Sequence, residues 1–433
     1  MRSFIRVAVA LATGLVAAPS VADRGEDIFR NALKYTVQIR STVALPFSSD
    51  RKGSGLGAGF VVDAKRGWIM TNAHVVSRSP ARIEIAFHGG EFAPGRRVYV
   101  DPFLDLAIVA PETESPALDV PAPRLECRNL PPVGHPVGAF GHPWRLPFTG
   151  TRGIISGVTA RYRTELLQTD APINQGNSGG PLISLEDGRI VGINTAGIRG
   201  AQNTNFAVAM KYACRVLELL QQDADPSPPD LRVVFFQDID DRKELRVARN
   251  YGPAGSLPFQ SGDLIREVTG TTGVIQNETQ LVHALRGRLA DASVKVMRGG
   301  ESTPVSGGNP AAARVLEQRG VFASGVLFAP IHLRDAREIN LPALMVHHVE
   351  AGSIAQAQEF AQSDVLEAVD GAPVQDLEAL HALLAAAQAA NRRVRFTLRR
   401  IAGTESMFGY VERNLPVRGV RYVGEGLGPP TRP

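Results

Sequence analysis

The sequence predicts a mainly β protein, an N-terminal β-barrel or sandwich followed by two small α+β modules. Between residues 35 and 208, short runs rich in branched and aromatic side chains alternate with Gly and Pro turns, the pattern of many short strands. Beyond Asp230, a set of features recurs in the same order at a spacing of about 100 residues, as a duplicated module would. The 433 residues are 44% hydrophobic, enough for about three domains with cores of their own.

The β-rich runs fall at 35–43, 59–62, 68–71, 82–87, 106–109, 136–140, 189–193 and 205–208, and a helix over about 209–222 closes the block. The stretch 223–230, Asp-Ala-Asp-Pro-Ser-Pro-Pro-Asp, reads as a linker. In the repeat, Ser261-Gly262-Asp263-Leu264 matches Ser363-Asp364-Val365-Leu366. The helical runs 279–285 and 377–383 follow, each with its His in register, and the strands 293–298 and 393–399 come third. These features set the expected boundaries: a leader at 1–22, a β block at 23–222, the linker, modules at 231–312 and 313–416, and a loose tail at 417–433.

Arg2 and Arg6 precede an apolar run over 7–18 and the small residues Ser20-Val21-Ala22, the layout of a cleaved signal peptide. The run is shorter than the roughly 20 residues a spanning helix needs, so no integral anchor is expected after cleavage. Of the formal charge of +4, Arg2 and Arg6 supply two, which leaves no strong field toward nucleic acid. Cys127 and Cys214 are the only thiols. An oxidising compartment could join them, or they could stay as two packed thiols.

Three segments carry chemistry. Gln175-Gly176-Asn177-Ser178-Gly179-Gly180-Pro181 is a tight Gly-rich turn of the kind a nucleophilic serine needs, with the N–H groups of Gly176 and Ser178 as an expected oxyanion hole. Thr71-Asn72-Ala73-His74-Val75-Val76 sets an imidazole at a strand end. Asp105 abuts the apolar run 106–109, a better position beside His74 than Asp101, which reads as a turn residue next to Pro102. The order His74, Asp105, Ser178 is the chymotrypsin-type order. In that arrangement Ser178 attacks a carbonyl, His74 relays the proton and Asp105 fixes the tautomer.

These segments, with Gly192-Ile193-Asn194-Thr195-Ala196 and Asn205-Phe206-Ala207-Val208, resemble the HtrA/Deg family of serine proteases over about residues 26–415. The resemblance implies a chymotrypsin/trypsin-like double β-barrel, two PDZ-like domains, a periplasmic location, homotrimers or larger assemblies, and cleavage of unfolded or misfolded proteins with no cofactor. It also implies a substrate pocket formed by Ile173, Asn194, Thr195, Ala196 and Gly197. None of these is an acid, so aliphatic residues are expected before the cut bond. In the second module Gly325, Val326, Leu327 and Phe328 resemble a Gly-apolar peptide-binding loop, while the first module keeps only the turn at 251–256. Leu45 to Gly53 is short where the family carries a long regulatory loop, and Gly141-His142-Pro143 stands where it has Gly-Asn-Pro.

Two decoys are set aside. Gly53, Gly55, Gly57 and Gly59 precede the strand run 60–62, whereas a nucleotide loop follows a strand and opens a helix. No His spacing fits a metal, and none is expected. The rival function is a binding protein or chaperone for unfolded chains, with the β block as scaffold.

Overall fold

The computed structural model describes residues 21–47, 50–113, 117–142, 148–160, 164–197, 203–236, 243–331, 344–374, 376–402 and 407–426. Most of the expected leader lies outside them. Helix α1 (Val21–Tyr35) leads into the first barrel: β1 (Thr36–Val43), β2 (Gly53–Asp63), β3 (Trp68–Thr71), β4 (Ala81–Phe87), β5 (Ala93–Asp101) and β6 (Leu106–Pro111), closed in the order β1-β2-β3-β6-β5-β4. Its four-residue helix α2 (Ala73–Val76) follows β3.

The second barrel comprises β7 (Pro136–Gly141), β8 (Thr149–Thr159), β9 (Leu166–Thr169), β10 (Pro181–Ser184), β11 (Ile190–Gly197) and β12 (Asn205–Ala209), closed as β10-β11-β12-β9-β8-β7. The expected double β-barrel is therefore what the chain forms. Inward residues such as Ile39, Phe60, Ile108, Phe140, Ile183 and Val208 merge into one apolar cluster beneath both barrels. Gly59 explains the decoy: a Cβ there would lie 2.8 Å from Ile39 Cδ1 and 2.9 Å from Ile69 Cγ2, so the glycine is a packing requirement.

Helix α3 (Met210–Gln221) packs its apolar face on the second barrel, and Cys214 within it is bonded to Cys127, with Cα atoms 5.5 Å apart. The bridge resolves the alternative that the sequence left open.

A five-stranded antiparallel sheet follows: β13 (Val233–Phe235), β14 (Leu245–Asn250), β15 (Leu264–Val268), β16 (Ala292–Arg298) and β17 (Glu301–Gly307), with α4 (Glu278–Leu285) between β15 and β16. The last sheet holds β18 (Arg319–Ala323), β19 (Val326–Pro330), β20 (Leu344–Val349), β21 (Val365–Val369), β22 (Ala372–Pro373), β23 (Arg393–Ala402), β24 (Met407–Pro416) and β25 (Arg421–Gly424), with helices α5 (Ile354–Ala357) and α6 (Leu377–Ala389). Its order is β24-β23-β21-β20-β19-β18-β25, with β22 pairing β21. The repeated strand, helix and strand of the sequence are β15-α4-β16 and β21-α6-β23.

Three expectations need correction. The tail is not loose throughout, because residues 421–424 form β25 on the edge of β18. The linker is not a free tether: residues 226–230 are buried, and the Pro226 carbonyl accepts hydrogen bonds from Tyr99 and Arg286. Asp101 is more than a turn former. Its Oδ1 accepts the N–H groups of Phe103 (2.9 Å) and Leu104 (3.0 Å), and its Oδ2 lies 2.6 Å from Arg286 Nη2, both side chains being fully buried.

That pair joins the middle sheet to the first barrel at zero exposure, so losing one partner strands a charge in the interior. Arg286→Ala is expected to cost roughly 3–5 kcal/mol in urea unfolding of the full chain. A loss below about 1 kcal/mol, the level of an exposed pair, would contradict the assigned burial.

Candidate active site

The site is built around Asp105, a left-handed residue with φ of 55°. Most side chains avoid that region, though aspartate is among those that tolerate it. Here the conformation is fixed by the Asp101 carboxylate, which gathers the N–H groups of Phe103 and Leu104 and so closes the turn. Asn72, at the N-terminus of α2, holds the other side by donating Nδ2–H to the Asp105 carbonyl at 2.9 Å.

Thus aimed, the carboxylate receives three contacts. Oδ1 accepts the backbone N–H of His74 at 3.0 Å, while Oδ2 meets His74 Nδ1 at 2.7 Å and accepts the Thr195 hydroxyl at 3.1 Å. The first two come from α2 and the third from β11 of the second barrel, so one half-buried carboxylate bridges the two barrels. Burial lowers the His74 pKa, but the hydrogen bond and charge of Asp105 outweigh it and leave it raised above 6.5. With Nδ1 engaged by the carboxylate, Nε2 is left to handle a proton.

Ser178 stands in the turn that links β9 to β10. Its carbonyl accepts the Ala58 N–H from β2 at 2.8 Å, and Gly179 N–H donates to the Asn194 carbonyl at 2.8 Å, pinning the turn to both barrels. Glycine is required at 179: φ is 85°, and a Cβ would fall 2.1 Å from Thr71 Oγ1 and 2.2 Å from the Ala58 carbonyl. Ser178 Oγ hydrogen-bonds the Thr195 carbonyl at 3.5 Å and makes no hydrogen bond to His74. Gly176, with φ of 105°, gives its carbonyl to His142 N–H. Among the described residues, the N–H groups of Gly176 and Ser178 meet no acceptor, which leaves both donors available to an anionic oxygen.

The residues expected to form the pocket divide. Ile173 is nearly buried beside the Ser178 turn. Asn194 is fully buried and its Nδ2 donates to the carbonyls of Phe140 and Pro181, so its side chain ties strands together. Thr195 turns its hydroxyl to Asp105, a role its position in the motif did not disclose. The backbone of Ala196 and Gly197 continues β11, and their side chains lie outside the described residues. His142 is buried and its pKa is pushed down to about 4 by burial, which leaves it neutral. In the second module, Val326, Leu327 and Phe328 are fully buried in β19, which pairs with β18 on one side and β20 on the other. They are core residues of an interior strand with no free edge, so the expected peptide-binding role is corrected.

Comparison with known proteins agrees with this geometry. A trypsin-like peptidase domain matches residues 57–193, the span containing His74, Asp105 and Ser178. A probable periplasmic serine endoprotease, DegP-like, of Marinomonas sp. (strain MWYL1) is 27% identical over 344 residues, 73% of this chain and 71% of the relative. The putative serine protease HhoA of Synechocystis sp. is 32% identical over 280 residues, 63% of this chain and 66% of that one. A DegP-like relative from Halomonas elongata is 30% identical over 272 residues, and this chain spans only 55% of its length. The solved HtrA-type protease AlgW with tripeptide, 24% identical, covers 68% of this chain and 98% of its own at a TM-score of 0.53, and shares the fold.

The double barrel and the matched peptidase domain make this chain a trypsin-like serine peptidase. Its DegP-like relatives narrow the assignment further. Over about three quarters of its length the chain is similar to the DegP-like and HtrA-type serine endoproteases.

Because Asp105 is what holds the His74 pKa up, Asp105→Asn should bring it below 6.5, followed by NMR titration of the ring protons. The stabilisation that the charged pair gives the fold is fully present below the unfolded value near 6.5 and is lost as pH rises through the raised folded value. An unchanged His74 titration in the variant would contradict the pairing.

Proposed function

We propose that Ser178 is the nucleophile, His74 the general base and acid, and Asp105 the residue that fixes the imidazole tautomer and stabilises the imidazolium. The observation that carries this reading is the shared carboxylate, held by His74 and by Thr195, whose carbonyl also touches Ser178 Oγ. Thr195 thus links the Asp105–His74 pair to Ser178. In the productive state Ser178 Oγ turns from the Thr195 carbonyl to His74 Nε2, a tightening expected on substrate binding. Oγ then attacks the scissile carbonyl and its proton passes to Nε2. The N–H groups of Gly176 and Ser178 stabilise the oxyanion, and Nε2 returns the proton to the leaving amine.

The substrates in this reading are unfolded or misfolded proteins of the cell envelope. An oxidising location is supported by the Cys127–Cys214 bridge and by relatives named periplasmic; the sequence pattern of a signal peptide at 1–22 agrees. Among the described residues, no helix is long and apolar enough to cross a membrane. The sheets at 231–312 and 313–416 act as PDZ-like modules that present chain segments to the barrels, and a homotrimer or larger assembly follows from the family resemblance.

Two outcomes are expected of the purified protein. Ser178→Ala should lose about 10⁴-fold or more of its turnover on casein while keeping its unfolding midpoint; near-wild-type turnover would refute the nucleophile. Mass-spectrometric mapping of the products should show cuts after Val, Ala or Leu, since Ile173 and its neighbours offer no acid to a Lys or Arg side chain. Dominant cleavage after basic residues would refute that pocket.

A further inference from the structure

The last sheet carries an occupant on its outer edge. Strand β18 pairs with β19 on one side, and on the other it is covered by β25, antiparallel, from Phe322↔Arg421 to Arg319↔Gly424. The segment also lies against helix α6. The Tyr422 ring stacks on His381, with centroids 4.2 Å apart and planes 9° from parallel, and Val420 N–H donates to Gln388 Oε1 at 3.0 Å. An extended chain laid between a sheet edge and a helix is the geometry by which peptide-binding sheets add a ligand strand. In this chain the strand is its own.

A second contact extends from the same segment. Glu425 forms an ion pair with Arg97, whose side chain is 1% exposed, Nε lying 3.2 Å from Oε1. Arg97 Nη1 in turn donates to the carbonyls of Ser77 (2.8 Å), Ser79 (2.7 Å) and Val76 (3.3 Å). These residues are the last of α2 and the turn that follows it, two to five positions after His74. The segment that covers the β18 edge therefore also neutralises the buried cation beneath the His74 helix.

We propose that residues 419–425 are an exchangeable internal ligand of the groove between β18 and α6. An extended peptide segment of a substrate enters by displacing this strand, and the exchange withdraws Glu425 from Arg97. The inference rests on reading this sheet as a peptide-binding module. Binding by the segment is strong only because it is tethered: a short connection from β24 holds it at an effective concentration of the order of millimolar, which any competitor must overcome. Its contacts lie along one edge, namely four strand pairs, the ring stack, the Val420 hydrogen bond, the Arg421–Phe322 and Arg319–Tyr422 cation–π contacts and the Glu425 ion pair, and Arg421, Tyr422 and Val423 remain half-exposed.

The test is fluorescence anisotropy of a labelled peptide with the sequence of residues 419–425, titrated with the full chain and with a chain ending at Arg418. The truncated chain should bind at least about tenfold more tightly, because the tethered competitor is gone. Should truncation prevent folding, judged by thermal unfolding, Tyr422→Ala in the full chain decides. It removes the His381 stack, and peptide affinity should rise several-fold. Equal affinity for the intact and altered chains would overturn the self-occupancy, and absence of binding to every form would overturn the groove itself. Casein turnover by the same preparations reports on Ser178 separately, so a failure of the peptidase assignment would not be mistaken for a failure here.

Discussion

The site depends on one carboxylate held in an unfavourable backbone conformation. Asp105 lies in the left-handed region, and from there its side chain reaches both His74 on the first barrel and Thr195 on the second. Strain of this kind persists where the surroundings over-determine it. Asp101 closes the turn, Asn72 takes the carbonyl, and the carboxylate itself completes three contacts. The two barrels are thus joined at the carboxylate that holds the His74 imidazole.

The same turn is anchored from outside the barrels. Asp101 shapes the backbone ahead of Asp105 and faces Arg286 from the middle sheet in full burial, with Tyr99 and the Pro226 carbonyl beside it. A second junction sets Glu165 against Thr279, Asn277 and Gln280 around α4, and burial raises the Glu165 pKa. On the far side Leu45 and Phe47 pack against Phe322, Leu327 and Ala329 of the last sheet. Leu45 and Phe47, just after β1, therefore dock the peptidase against the last sheet.

The parts of this arrangement that depend on local chain chemistry were legible in the sequence. The Ser178 turn is crowded by Thr71 and the Ala58 carbonyl, so its glycines are forced, and a forced Gly pattern is readable. The strand runs were readable because inward and outward residues alternate along the barrels. Contacts between distant segments were not. Nothing near Thr195 signals that its hydroxyl would face Asp105, and Asp101 reads as a turn former because it is one, with its Arg286 partner invisible. The run Gly325 to Phe328 was misread because a Gly turn entering an apolar strand looks alike whether that strand lies at an edge or inside a sheet. Residues 421–424 have little apolar pattern, and pairing with β18 rather than local propensity makes them a strand.

The central claim is that the Asp105 bridge makes Ser178 a nucleophile and no other serine. Incubating the full chain with a fluorophosphonate and locating the adduct by peptide mass spectrometry tests it directly. The account predicts a single adduct, on Ser178, that disappears when His74 is replaced by Ala. An adduct on another serine, or equal labelling of Ser178 without His74, would contradict it.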